Sequence, residues 1–454
     1  MELLMSSLKI AVVGHTNAGK TSLLRTLLHS RQFGEVDQRP STTRSVLEQG
    51  VWLEGQQLLA FYDTPGLESG SELFNEVEAF VEQFRHDGPA QIRAFLASAL
   101  ADDRFAQEAK VLRQLLQSDA AFYVIDCRDP VLPKYQDELH LLTRCGKPLI
   151  PVLNYTAAAG QQEQAWRQAL AKLSLHAVVA FDTVTPPEGG EAYLLESLAT
   201  VVPSAAGALK ELIAWRGKER EQRLHGALHA VAELLVDVAS YQEVVPQSAP
   251  DHELQTAIER LQRRIRMREQ DTVRSILNRF AFLPEDAIAE QLDSASGAWQ
   301  EDLFAPEVLK AWGKDAGFGI GAGAATGAGI DLMVGGMSLG AATALGAAAG
   351  GLYQSWRHLG EKLKQRWRGQ RELHVDNATL AALTGRQLYL LQQLVRRGHA
   401  ATETLTIAKS HRVSREQFKT IEQSLGPILA HTPDIDRQRV VTELAGKLEE
   451  NWSA

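Results

Sequence analysis

The chain has 454 residues, a formal net charge of −9 and 44% hydrophobic residues. That length exceeds one ordinary domain and suffices for two cores, and the acidic balance argues against a general nucleic-acid binder while leaving room for a local basic surface. Cys127 and Cys145 lack metal-type spacing, and the short stretch before Leu8 lacks the basic region of a cleavable signal, so a reducing, cytoplasmic setting is expected.

The apolar run Leu8-Lys9-Ile10-Ala11-Val12-Val13 predicts a strand, and it leads directly into Gly14-His15-Thr16-Asn17-Ala18-Gly19-Lys20-Thr21, followed by the helical pattern Ser22, Leu23, Leu24, Leu27, Leu28. The spacing G-x-x-x-x-G-K-[ST] lets backbone N–H groups turn inward at a helix N-terminus, where they cradle phosphates. Lys20 is then expected to reach the β and γ phosphates and Thr21 to hold Mg²⁺. A polar loop, Arg39-Pro40-Ser41-Thr42-Thr43-Arg44, precedes an extended segment from Ser45 to Trp52, and a Glu54-Gly55 turn leads into the strand Leu58 to Tyr62. That strand ends in Asp63-Thr64-Pro65-Gly66, which puts a carboxylate within reach of Mg²⁺ through water and a glycine N–H near the γ-phosphate. One of Thr42 and Thr43 is placed to complete the Mg²⁺ shell.

Between Leu67 and Gln117 three helical patterns follow: Leu73 to Phe84, Ile92 to Leu100 and Val111 to Leu116, with Asp87-Gly88-Pro89 separating the first two. This insertion at about 67–117 starts beside Gly66, so it is either a transmitter of nucleotide state or a passive lid. Val124-Ile125-Asp126-Cys127-Arg128-Asp129-Pro130 and Pro148 to Leu153, running into Asn154-Tyr155-Thr156-Ala157, are further strand ends.

Asn-Ala-Gly-Lys in the phosphate loop, Thr-Thr-Arg, Asp-Thr-Pro-Gly and the Val124 to Pro130 segment together resemble the translation-factor-related GTPases of the Era and TrmE-like branch, over about residues 8 to 200. The whole chain resembles a bacterial group in which such a G domain precedes a helical domain of unknown function. The resemblance implies an α/β P-loop NTPase fold, a mostly parallel sheet flanked by helices over 1–204, then an all-α domain over 205–454. It implies GTP hydrolysis to GDP and phosphate with Mg²⁺ held by Thr21, Thr43 and Asp63, Thr43 being preferred to Thr42. The nucleotide-binding set becomes Gly14, His15, Thr16, Asn17, Ala18, Gly19, Lys20, Thr21, Ser22, Thr42, Thr43, Asp63, Gly66, Asn154 and Tyr155, with Lys20, Thr43, Gly66 and Asn17 as the catalytic group.

Three departures bear on mechanism. Leu67 stands where Ras-like GTPases carry the glutamine that orients water, which implies slow intrinsic turnover. Asn17 occupies a position where Era- and TrmE-like enzymes use asparagine to help bind K⁺; it either does so here or only shapes the loop. Tyr155 and Ala157 replace the lysine and aspartate of the Asn-Lys-x-Asp guanine reader, leaving Tyr155 to stack on the base and Asp182 as a candidate substitute carboxylate. GTP specificity is therefore only half supported by residues.

After Val202 to Gly207 long helical segments follow, Leu209 to Tyr241 and Glu253 to Leu283, the second carrying Arg260, Arg263, Arg264, Arg266, Arg268, Arg274 and Arg279 among acidic residues, which reads as a solvated face more readily than a nucleic-acid groove. From Ala316 to Leu352 glycine and alanine dominate, with glycines four apart at Gly319, Gly323, Gly327 and at Gly336, Gly340; a glycine-packed helical hairpin is expected, with Asp331 its only charge. An uncharged run from Leu332 to Trp356, followed by Arg357, Lys362, Lys364, Arg366, Arg368 and Arg371, allows that hairpin to meet or enter a membrane; a wholly soluble hairpin is the alternative. Helical periodicity returns over Ala378 to Val395 and Arg415 to Trp452. The expected partners are nucleotide, an inner-membrane surface or membrane protein, a second copy of the chain in a nucleotide-dependent homodimer and, less favoured, RNA. A nucleotide-binding scaffold with little turnover or relaxed base choice is a further reading.

Overall fold

The computed structural model describes residues 7–28, 46–79, 84–280, 292–293, 298–299, 302–305, 308, 330–334, 337–338, 370–396, 414–429 and 435–452. Two compact units divide them: the first contains the described residues up to Glu219 and Arg396, the second those from Arg220 to Val395 and from 414 onward.

The first unit alternates strands and helices: β1 (Leu8–Gly14), α1 (Lys20–Leu27), β2 (Leu47–Leu53), β3 (Gln56–Asp63), α2 (Gly70–Glu78), α3 (Gly88–Leu96), α4 (Ala106–Gln117), β4 (Ala120–Asp126), α5 (Pro133–Thr143), β5 (Leu149–Asn154), α6 (Glu163–Lys172), β6 (Val179–Ala180) and α7 (Gly190–Val201). Its sheet has the order β2-β3-β1-β4-β5-β6, and only the edge strand β2 runs antiparallel to its neighbour. The central strands are near-continuous apolar runs because helices cover both faces. In β1, Ile10 and Val12 pack with Leu23 and Leu24 of α1 and Leu194 and Leu198 of α7. Ala11 and Val13 point the other way, into a core with Leu73, Val77, Ile92, Phe95, Val111 and Leu112.

Those last residues belong to the insertion, whose described residues include the helices α2, α3 and α4. Asp87 ends the loop before α3 by accepting a hydrogen bond from the Ala90 N–H at 2.9 Å, so the Asp-Gly-Pro sequence acts as a helix start as well as a break. The insertion is packed on the sheet, and its α2 lies against α5.

The second unit is largely helical. It contains the C-terminal part of α8 (Ala206–Ser240), α9 (Asp251–Arg279), α10 (Asn377–Arg396), α11 (Arg415–Leu429) and α12 (Arg437–Glu450), gathered on a core that includes Leu235, Ile265, Ile276, Leu383, Leu391, Phe418, Leu425 and Leu444. Acidic Asp251 and Glu253 open α9 and Arg279 closes it, each favourable for the helix dipole.

Strands also occur there, which the helical expectation did not include: β7 (Gln242–Pro246), a short pair β8 (Leu292–Asp293) and β9 (Ala298–Trp299), then β10 (Ile330–Val334), β11 (Met337–Ser338) and β12 (Gln370–Val375). Four of them form an antiparallel sheet in the order β11-β10-β12-β7. The glycine-rich stretch 316–352 lies mostly outside the described residues, and its described part corrects the helical-hairpin expectation. β10 is extended, with Asp331 opposite His374 in register. Ile330, Leu332 and Val334 alternate along it in sequence, and β12 pairs with its backbone; the glycines spaced four apart lie outside the described residues. Arg371, the last cation of the basic run after Trp356, lies in β12 opposite Val245. Among the described residues no helix is long and apolar enough to cross a membrane.

Candidate functional site

β1 delivers Gly14 to the carboxyl edge of the sheet, and the loop 15–19 returns the chain to α1. Gly19 adopts φ 95°, a left-handed conformation that glycine tolerates, and a Cβ there would run into the Asn154 amide. Lys20 begins α1 and folds back over the loop, its Nζ donating to the carbonyls of Gly14 at 3.1 Å and His15 at 2.8 Å. Burial pushes the Lys20 ammonium down to about 8, against the attraction of Asp63 and Glu138. Asn17 is exposed with φ 63°.

β3 brings Asp63 to the same edge. The Thr21 hydroxyl donates to Asp63 Oδ2 at 2.6 Å, while Asp63 Oδ1 is buried and has no hydrogen-bond partner among the described residues. Burial raises the Asp63 carboxyl above its ordinary value, opposed by the Thr21 bond and the Lys20 charge. A buried oxygen held beside a threonine hydroxyl suits a hard divalent cation that takes oxygen ligands, so the donor set fits Mg²⁺. Thr64 anchors the strand end by donating to Val12 O at 2.7 Å.

Gly66 crosses the phosphate loop so closely that a Cβ would lie 2.7 Å from Thr16 Cα. Leu67 follows, fully buried, bridging to His15 and donating its N–H to Gly14 O at 3.3 Å. The Thr16 hydroxyl adds a bond to Glu68 at 3.1 Å. The residue in the glutamine position is thus part of the core beneath the loop.

A charged cluster that sequence reasoning missed supports the loop from α5. Glu138, 1% exposed, accepts from His15 Nδ1 at 2.8 Å and from the Tyr123 hydroxyl at 2.9 Å. The Lys134 ammonium donates to His15 Nε2 at 3.0 Å, which fixes the proton on Nδ1. Nothing in the spacing of Lys134 and Glu138 distinguishes them from an ordinary helix face; only the partner His15, an unusual residue inside the motif, was a signal.

At the far end Asn154 ends β5. Its amide donates to Ala18 O at 3.0 Å, and its oxygen accepts from the N–H groups of Tyr155 and Thr183, both at 2.9 Å, tying three loops together. Asp182 accepts from the N–H groups of Ala157 at 3.0 Å, Val184 at 2.9 Å and Thr185 at 3.1 Å. It organises two loops with both oxygens, which accounts for its burial without a ligand. The structure therefore gathers Gly14, His15, Thr16, Asn17, Ala18, Gly19, Lys20, Thr21, Ser22, Asp63, Gly66, Asn154 and Tyr155 along one edge; Thr42 and Thr43 lie outside the described residues. Cys127 and Cys145 are buried free thiols, both pushed up to about 12 by burial.

The family model described as 50S ribosome-binding GTPase matches residues 9–155, and that described as Domain of unknown function (DUF3482) matches residues 167–433. GTPase Era of Campylobacter hominis is 34% identical over 104 residues, 23% of this chain and 35% of that protein. GTPase Der of Nitratidesulfovibrio vulgaris is 32% identical over 146 residues, 32% of this chain and 26% of its own length. The chain thus spans about a third of the first of these relatives and a quarter of the second. Among solved structures, Era of Aquifex aeolicus bound to GDP and aluminium fluoride shares 18% identity over 43% of this chain and 57% of that one, with a TM-score of 0.32.

Proposed function

We propose that this chain, which belongs to the DUF3482 family and carries a P-loop GTPase domain ahead of most of that region, binds GTP and hydrolyses it to GDP and phosphate as a nucleotide switch. The observation that carries the proposal is the pairing of the Thr21 hydroxyl with buried Asp63 at 2.6 Å, beside Lys20. Thr21 and Asp63 would hold Mg²⁺, with Thr43 as the further ligand, and the ion when bound supplies positive charge to the transferring phosphoryl group. Lys20 would exchange the carbonyls of Gly14 and His15 for phosphate oxygens, and the Gly66 N–H is the donor assigned to the γ-phosphate. Leu67 offers no polar group to the attacking water, so turnover in isolation is slow. Asn17 is the candidate K⁺ ligand, placing a monovalent charge where an arginine finger acts in other GTPases.

Phosphate release measured with GTP in matched KCl and NaCl, with Lys20→Ala as control, tests this reading. Slow release stimulated by K⁺ and lost in Lys20→Ala is expected. Release by the wild type no greater than by Lys20→Ala would reduce the protein to a nucleotide-binding scaffold.

The domain over 205–454 is proposed as the effector. Its membrane-facing role rests on the sequence of 316–371 alone, and vesicle flotation with a GTP analogue, with GDP, and after deletion of 316–352 tests it; equal recovery in the soluble fraction throughout sinks it. The description of the matched GTPase family favours a second reading, a ribosome-associated switch. Retention of RNA that weakens steeply with salt would support that alternative.

A further inference from the structure

The base-binding end of the site is built differently from an Asn-Lys-x-Asp reader, and its replacement parts are visible. Tyr155 adopts φ 56°, a conformation that a bulky aromatic residue rarely takes, so its surroundings hold it there. Its N–H is fixed by Asn154, and its hydroxyl lies 3.2 Å from the position of a Cβ on Gly19, at the phosphate loop. The Arg128 guanidinium covers one face of the ring, 3.9 Å from its centroid. Arg128 is itself held by Asp126 through Nε to Oδ1 at 2.9 Å and Nη2 to Oδ2 at 2.7 Å, and its own N–H also donates to Asp126 Oδ1. A planar, charge-neutralised Arg–Asp pair therefore backs an aromatic ring that remains partly exposed.

Among the described residues, the two carboxylates beside Tyr155 and Ala157 are both committed elsewhere. Asp182 is committed to three backbone N–H groups and Asp126 to Arg128. Position 157, where that carboxylate would sit, is alanine.

We propose that Tyr155, backed by Arg128, is a stacking platform that holds a purine by its face, so that the site takes purine nucleoside triphosphates as a class and discriminates weakly between guanine and adenine. Every purine has the π surface that such a platform needs, whereas a site built to hydrogen-bond a particular edge rejects an analogue lacking it by about 10⁴-fold. The guanidinium on the far face polarises the ring and makes it rigid without adding a group that selects one base edge. This inference rests on the reading of the phosphate loop as a nucleotide site.

The test is equilibrium titration of the full chain with fluorescent GDP, ADP and CDP in Mg²⁺, with pyrophosphate competition reporting on the phosphate cradle apart from any base. The wild type is expected to bind GDP and ADP within about tenfold of each other and CDP at least about tenfold more weakly. Tyr155→Leu and Arg128→Ala are expected to weaken both purines together, by about tenfold for Tyr155→Leu, and to bring them toward CDP; Tyr155→Trp is expected to retain purine binding. Thermal melts confirm that each variant is folded. A preference of GDP over ADP above about 10³-fold, or a folded Tyr155→Leu protein with purine affinities unchanged, overturns the proposal while leaving the nucleotide site intact. Failure of pyrophosphate and every nucleotide to bind removes the functional reading as well.

Discussion

Lys20 concentrates the chemistry of the site in one titration. Burial holds its ammonium at about 8 rather than 10.5, so the folded protein binds fewer protons than the unfolded chain between those values. The stability linked to this group is therefore present above the unfolded value and lost as pH falls through about 8. Phosphate requires the charged form, so binding has the opposite sense: nucleotide affinity is expected to fall by about tenfold per pH unit above about 8, as each binding event takes up one proton. Titrations from pH 7 to 9.5 check this, and a flat profile would mean that Lys20 binds nucleotide without taking up a proton in that range. Gly66 offers a second residue-scale test. A methyl group there would meet the backbone of Thr16, which cannot swing aside as a flexible side chain could. Gly66→Ala is expected to lift Leu67 from its place under the loop and to cost about 1–3 kcal/mol in chemical denaturation. These residues were legible in advance because their spacing is dictated by phosphate geometry. Glu138 was not, since it acts through His15 across 123 residues of chain.

At the scale of elements, α5 and the α9–α10 pair carry the polar networks that periodicity does not reveal. Glu138→Ala deprives both the His15 imidazole and the buried Tyr123 hydroxyl of an acceptor, and the loss is expected at about 1–3 kcal/mol for each stranded group. Glu138→Gln, which keeps an acceptor, is expected to recover part of it, and denaturant midpoints of the two variants separate these outcomes. On the other unit, Glu269 of α9 and Arg386 of α10 are almost fully buried, 3.2 Å apart, with the Gln387 amide also donating to Glu269 at 3.2 Å and the guanidinium over the Trp299 ring. Burial raises the Glu269 carboxyl against the pull of Arg386. Glu269→Met alone is expected to cost about 3–5 kcal/mol, because it removes the carboxylate facing a buried guanidinium, while Glu269→Met with Arg386→Met restores most of that stability. A double variant as unstable as the sum of the singles would show that the two charges do not interact. Helix positions in this unit followed from the sequence; the sheet of β7, β10, β11 and β12 did not, because its pairings join residues as far apart as 242 and 374, and local pattern is silent about such partners.

For the whole molecule, separate cores imply separable stabilities. The two cores flanking the first sheet and the helical core of the second unit are distinct sets of residues. A ligand confined to the phosphate loop stabilises the unit that binds it, by about 2.7 kcal/mol at a hundred times its dissociation constant. Calorimetry with GDP and Mg²⁺ is expected to raise one transition and leave another in place. A single transition that shifts as a whole would mean that nucleotide occupancy is felt throughout the chain. The order strand, phosphate loop, helix and the later strand ends announced the α/β architecture of the first unit. The second unit lacked any comparable chemical punctuation, and composition spoke only for helix.

The two buried cysteines make the protein a ready-made clock. A thiol pushed up to about 12 is almost wholly protonated at neutral pH, so alkylating reagents find no thiolate until the chain opens. Cys127 sits between Asp126 and Arg128, next to the guanidinium that covers Tyr155, so its modification rate records how often this loop opens. Slowing of that rate by nucleotide would convert occupancy into time, with no label added and no residue changed.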